Sequence, residues 1–96
     1  MHDYIKPIVS SFQSNSDQQN AEPMKKYMKN RFEFLGIKRP ERNQLQRMFF
    51  KEYNLPDLSD IPEIINELWK QPEREFQYFA MDLLVKVKNK LPEASI

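Results

Sequence analysis

Cysteine is absent from this 96-residue chain, glycine occurs once, at Gly36, and histidine once, at His2. Without cysteine there is no disulfide framework and no thiolate metal site, which fits a reducing cytoplasm. One glycine cannot build a glycine-rich phosphate loop. One histidine at the second residue, with no thiol, removes the usual nucleophile–base pairs and most zinc sites. No apolar run approaches the ~18 residues of a membrane span. The start MHDYIKPIVSSF, with Asp3 and a single lysine ahead of its apolar residues, does not read as a signal peptide. The expectation is a cytoplasmic protein without metal or cofactor.

What is present is a foldable composition: 40% hydrophobic, 12% aromatic and 30% charged residues. A chain of this size buries roughly 60–70% of its unfolded surface, enough for one modest core. The net charge of +1 conceals a sorting. Residues 24–47 carry eight cationic side chains against Glu33 and Glu41, a net of +6, whereas residues 48–83 carry three against eight acids, a net of −5. A basic segment of this size steers an anionic partner toward one surface.

The apolar spacing predicts five helices and no strand. Tyr4, Ile5, Ile8, Val9 and Phe12 mark the first, with Pro7 in its opening turn. SNSDQQN is a polar connector, and a second helix is expected after Asn20 as N-cap, with Pro23 in its first turn. Its stripe is Met24, Met28, Phe32 and Leu35, with Tyr27 at the margin, and Gly36 reads as its left-handed C-terminal cap. Pro40 and Glu41 open a third helix with the stripe Leu45, Met48, Phe49 and Tyr53. After NLPDLSD, Ser59 or Asp60 caps a fourth, striped by Ile61, Ile64, Ile65, Leu68 and Trp69. Pro72 opens a fifth, with Phe76, Phe79, Ala80, Leu83, Leu84 and Val87, and Pro92 ends it.

Short breaks pair helices two with three and four with five, offset by about 40 residues, near the period of HEAT-like repeats. A plain five-helix bundle fits the same periodicity. The wide apolar arc of the fifth helix, which adds Tyr78, Met81 and Val85, favours an α-solenoid cut short, with that face partly uncovered or used for self-association. Trp69 and Phe76 are expected in the core.

For chemistry, Glu73 and Glu75 point in different directions on a helix and read as acids at its N-terminal end, Asp82 reads as a flanking polar residue, and Asp57 with Asp60 lacks a third metal ligand. The basic segment offers more. Lys38 and Arg39 lie between Gly36 and Pro40, where a helix N-terminus leaves backbone N–H groups free, and Arg42 is one turn on. Together they suit a phosphate clamp, or else they are ordinary solvated charges. Tyr27 reads either as a core-edge tyrosine or as a rim phenol offered to a phosphate or base.

AEPMKKYMKNRFEFLGIKRPER followed by ELWKQPEREFQYFAMDLL closely resembles the N-terminal third of bacterial DNA alkylation repair proteins of the AlkD type. The spacing of YMKN, of FLGI before PER, and of LW before PEREFQ carries the likeness through the fifth helix. The resemblance implies a HEAT-like α-solenoid, residues 1–96 being the N-terminal portion of one repeat domain, with a basic concave face for duplex DNA. It implies a monofunctional glycosylase that removes cationic N3- and N7-alkylpurines, without metal or cofactor, from a base left in or near the stack. Tyr27 then faces the DNA near the lesion. Lys38 occupies a DNA-facing position that is commonly uncharged and polar in the family; its cation favours phosphate and repels a cationic base. The resemblance places the catalytic aspartate in a Trp-rich segment further along, so no catalytic residue is expected within these 96. The alternative is a non-enzymatic helical-repeat adaptor, since fold does not fix function.

Overall fold

The computed structural model of the protein describes residues 1–90. It is an all-α helical repeat with five α-helices among the described residues: α1 (Lys6–Ser14), α2 (Gln18–Tyr27), α3 (Arg39–Tyr53), α4 (Ile61–Lys70) and α5 (Arg74–Lys90). Single turns of 3-10 helix, Asp3–Ile5 and Leu58–Asp60, lead into α1 and α4. The soft start near Asp3 is the first of these turns, where the His2 ring accepts from the Tyr4 amide at 3.1 Å. Pro7, Pro40 and Pro62 each sit in the opening turn of a helix, where their missing N–H forfeits nothing. Asp60 holds the N-cap position of α4 without a side-chain cap bond. Pro92 lies outside the described residues.

The second helix departs from the sequence reading at both ends. Asp17, not Asn20, caps it: the carboxylate accepts from Gln19 and Asn20 N–H at 2.9 and 3.3 Å. Pro23 is therefore inside the helix, one ladder bond being forfeited there. The helix stops at Tyr27 by a Schellman closure. Asn30 N–H reaches Lys25 C=O at 2.7 Å and Lys29 N–H reaches Lys26 C=O at 3.0 Å. Lys29, at φ 57°, holds the left-handed position that the sequence reading gave to Gly36. Phe32 and Leu35 consequently belong to an irregular segment, not to a helical stripe.

Gly36 has a different task. At φ +93° it lies under the start of α2, and a Cβ there would fall 1.9 Å from the Asp17 carbonyl oxygen. Asp17 N–H donates to Leu35 C=O at 2.7 Å across the same contact. Glycine is required by close approach of two backbones.

α4 packs along α5 as expected, but the other pairing differs: α3 packs along α1 rather than α2. The reason is apolar area. α1 buries Ile8, Val9 and Phe12, whereas α2 buries only Ala21 and has little to offer α3. Aromatic rings join the pairs. Phe12 meets Phe76 and Phe79 at 5.6 and 6.2 Å, and Phe79 meets Phe49 at 5.7 Å. Ile5, Ile37, Ile64, Leu68 and Leu83 complete the centre, each fully buried side chain contributing about 1.5–3 kcal/mol.

Phe76 is fully buried, as expected, but Trp69 is 44% exposed and leaves the core to the smaller Leu68. Met48 and Tyr53 of α3 and Leu84 of α5 are likewise exposed rather than on a buried stripe. The expected uncovered face of α5 is present at Met81 and Val85, with Tyr78 half-buried. No helix among the described residues is long and apolar enough to cross a membrane.

Candidate nucleic-acid interface

The segment between α2 and α3 is tied down by the start of α5. Arg74 N–H donates to Glu33 C=O at 2.8 Å, beside a single parallel β-bridge between Glu33 and Glu73. Next to it, the fully buried Glu75 carboxylate accepts from the backbone N–H groups of Leu35, Gly36 and Ile37 at 2.9, 2.9 and 3.2 Å. Three donors to one carboxylate compensate its burial. Lys38 and Arg39 follow directly, both exposed, at an α3 N-terminus that has no side-chain cap.

Of the four residues singled out in the sequence, these two are presented together. Arg42 is not presented with them. It is 9% exposed, its guanidinium lies 4.8 Å above the Tyr78 ring, and its Nη2 is 4.0 Å from Asp82. Burial lowers its pKa below the ordinary arginine value, Asp82 opposes that fall, and nearby Arg39 adds to it; it stays charged throughout. Its Nε lacks a hydrogen-bond partner among the described residues.

Tyr27 is 87% exposed, so it is not a core-edge residue. It borders an apolar hollow of about 300 Å³ with Pro23, Met24, Met28, Phe34 and Tyr78. Tyr78 in turn has two guanidiniums near its ring, Arg42 at 4.8 Å and Arg74 at 5.3 Å. Arg74 also covers Phe32 at 4.4 Å and Trp69 at 5.7 Å, and its Nη1 donates to Gln77 Oε1. The hollow therefore has apolar walls, and two cations lie close to the ring of Tyr78, one of its lining residues.

The charge sorting largely survives folding. Within the basic segment Lys25 pairs with Glu33 at 3.4 Å and Arg42 with Asp82. Lys26, Lys29, Arg31, Lys38, Arg39 and Arg47 have no ion-pair partner among the described residues.

Sequence reasoning missed Glu75 and Asp82. Glu75 stands at i, i+4 and i+8 with Phe79 and Leu83, so a carboxylate fell on the apolar stripe. That position was the available sign that backbone donors had to meet it. Asp82 holds both Arg42 and the Gln46 amide, the latter at 3.0 Å.

The sequence model of the family described as DNA alkylation repair enzyme matches residues 8–96. None of the curated proteins matches the chain.

Proposed function

The chain belongs to the family of DNA alkylation repair enzymes, and from that premise we propose that residues 1–96 form the N-terminal, DNA-gripping part of a glycosylase. Its substrate is duplex DNA carrying cationic N3- or N7-alkylpurines. The observation that carries the reading is the pair Lys38 and Arg39, exposed and without ion-pair partners among the described residues at the uncapped start of α3. Free N–H groups and two cations at one helix start suit a phosphodiester. Tyr27, almost fully exposed beside its apolar hollow, suits a base or sugar next to that strand.

Water replaces the purine at the sugar carbon, and a purine that leaves from a cationic state departs neutral. The reaction therefore depends on stabilising positive charge on the sugar more than on protonating the base. Lys38 cannot supply that stabilisation, so its role is phosphate contact. No residue described here is assigned the catalytic step. The uncovered face of α5, with Met81 40%, Leu84 41% and Val85 56% exposed, suits a further helical pair or a second copy of the chain.

Salt titration of a fluorescent duplex tests the reading. The chain should bind with a slope of log K against log salt that becomes shallower by about 0.9 for each of Lys38→Gln and Arg39→Gln. Binding that ignores salt, or no binding at any salt, would sink it.

A further inference from the structure

Arg74 opens α5, and its guanidinium lies among aromatic rings rather than beside acids. The guanidinium carbon is 4.4 Å from the Phe32 ring centre, 5.3 Å from that of Tyr78 and 5.7 Å from that of Trp69. Those rings come from three places: the connector between α2 and α3, α5 itself, and α4. Nη1 donates to Gln77 Oε1, and Gln77 Nε2 donates to the Gln71 carbonyl at 3.5 Å, which fixes the amide orientation. Among the described residues no carboxylate pairs with Arg74, and its buried Nε has no hydrogen-bond partner. The adjacent Glu75 carboxylate is committed to the Leu35, Gly36 and Ile37 amides.

We propose that Arg74 is a positioning residue for duplex binding. Through Phe32 it sets the connector that carries Lys38, and through Tyr78 it sets the hollow beside Tyr27, without touching DNA itself. The proposal rests on the DNA-gripping reading above. It gives a part in binding to the stretch ELWKQPEREFQ, residues 67–77, in which the sequence reading found only core and helix-end residues.

Stability alone does not call for arginine here. A half-buried guanidinium without a carboxylate costs desolvation that an apolar side chain of similar volume would avoid. What arginine adds is a flat, rigid cation that rests against several rings at once in a direction set by Gln77. Those rings lead to both parts of the proposed DNA contact. Phe32 stands in the connector that leaves α2 after Tyr27 and reaches α3 at Lys38. Next to it, the Glu33 carbonyl accepts from the Arg74 N–H at 2.8 Å. Tyr78 lines the hollow that Tyr27 borders. Loss of the guanidinium therefore loosens both parts together. The backbone bond to Glu33 survives any substitution except proline, so a variant at this position tests the side chain.

The test is duplex binding by the 96-residue chain and its variants, at a temperature where each is folded. Arg74→Met should weaken binding about five- to tenfold and leave the slope of log K against log salt unchanged, because no phosphate contact is lost. Arg74→Lys should resemble Arg74→Met, since a point charge does not cover three rings. Combined with Tyr27→Ala, the loss should fall short of the product of the two single losses, because both act on one hollow. Val87→Ala is the control for packing alone. It lies thirteen residues along α5, ~20 Å on a helix axis, and should lower the unfolding midpoint without changing affinity. If Arg74→Met does not fold, Phe32→Leu cuts the same contact from the connector and should give the same loss at unchanged slope. Unchanged affinity in Arg74→Met, or in Phe32→Leu where only that variant folds, while Lys38→Gln still flattens the slope, would overturn the positioning role and leave the reading above standing. A slope that flattens in Arg74→Met would also overturn it, by making Arg74 a phosphate contact. Absence of duplex binding by the unmutated chain would remove both.

Discussion

The Glu75 carboxylate and the Gly36 amide meet at 2.9 Å inside the protein, thirty-nine residues apart in sequence. This contact joins the first turn of α5 to the loop that ends in Lys38, so the placement of the proposed phosphate contact is set by a residue distant in sequence. Leu35 and Ile37 donate to the same carboxylate. Glu75→Gln keeps the shape, removes the charge and turns an amide N–H₂ toward backbone donors. Hydrogen bonds to charged groups are worth more than neutral ones, and the variant should lose about 2 kcal/mol in urea unfolding. Exposed Glu52→Gln should stay within about 0.5 kcal/mol of the unmutated chain. The loosened loop should also weaken duplex binding.

Gly36→Ala strikes the same junction from its other face. The added Cβ would sit 1.9 Å from the Asp17 carbonyl oxygen, which is backbone and held by the capped start of α2. Left-handed strain of about 1–2 kcal/mol adds to overpacking of about 1–3 kcal/mol. A loss of about 3 kcal/mol in unfolding free energy is expected, and an unchanged midpoint would contradict the close approach.

Tyr4 makes stability fall at alkaline pH. Its hydroxyl donates to the Asn54 carbonyl at 2.5 Å, and burial raises its pKa above the ordinary tyrosine value. The unfolded chain then loses this proton first. Tyr4's contribution is complete below the unfolded value of ~10 and is progressively lost above it, at up to about 1.4 kcal/mol per pH unit. The informative quantity is the difference from Tyr4→Phe. That variant should be about 1 kcal/mol less stable near neutrality, with the gap closing as pH rises through 10.

How far the sequence revealed this arrangement depended on whether side chains or backbone made the decision. α4 and α5 were legible because Ile64, Leu68, Phe76, Phe79 and Leu83 repeat at helical spacing and are all buried. α2 was not, because its end is set by a left-handed lysine and its start by Asp17, three residues ahead of the Asn20 given that role. Gly36 looked like a cap since a lone glycine after an apolar run commonly is one; the helix above it is visible only in three dimensions. The stripe rule also ranks Trp69 with Leu68, yet Leu68 is buried while Trp69 stays partly exposed, with the Arg74 guanidinium 5.7 Å from its ring. In the candidate site, exposure of Lys38 and Arg39 followed from their place at a turn. The inward rotation of Arg42 depended on Tyr78 and Asp82, about forty residues away in the chain, which local spacing does not encode.

Arg42 therefore separates the two accounts of the basic segment. A solvent-facing arginine in a phosphate clamp adds to the salt slope and little to stability. An arginine laid over Tyr78 and facing Asp82 does the reverse. Arg42→Met keeps the aliphatic stem and removes the guanidinium, so Asp82 loses its cation and Tyr78 one of its two covering groups. The expected loss is about 1–2 kcal/mol in unfolding free energy, with the slope of duplex binding unchanged, whereas Lys38→Gln should lower that slope by about 0.9 and leave stability intact. A slope that flattens in Arg42→Met at unaltered stability would mean that the side chain swings out to meet the phosphate.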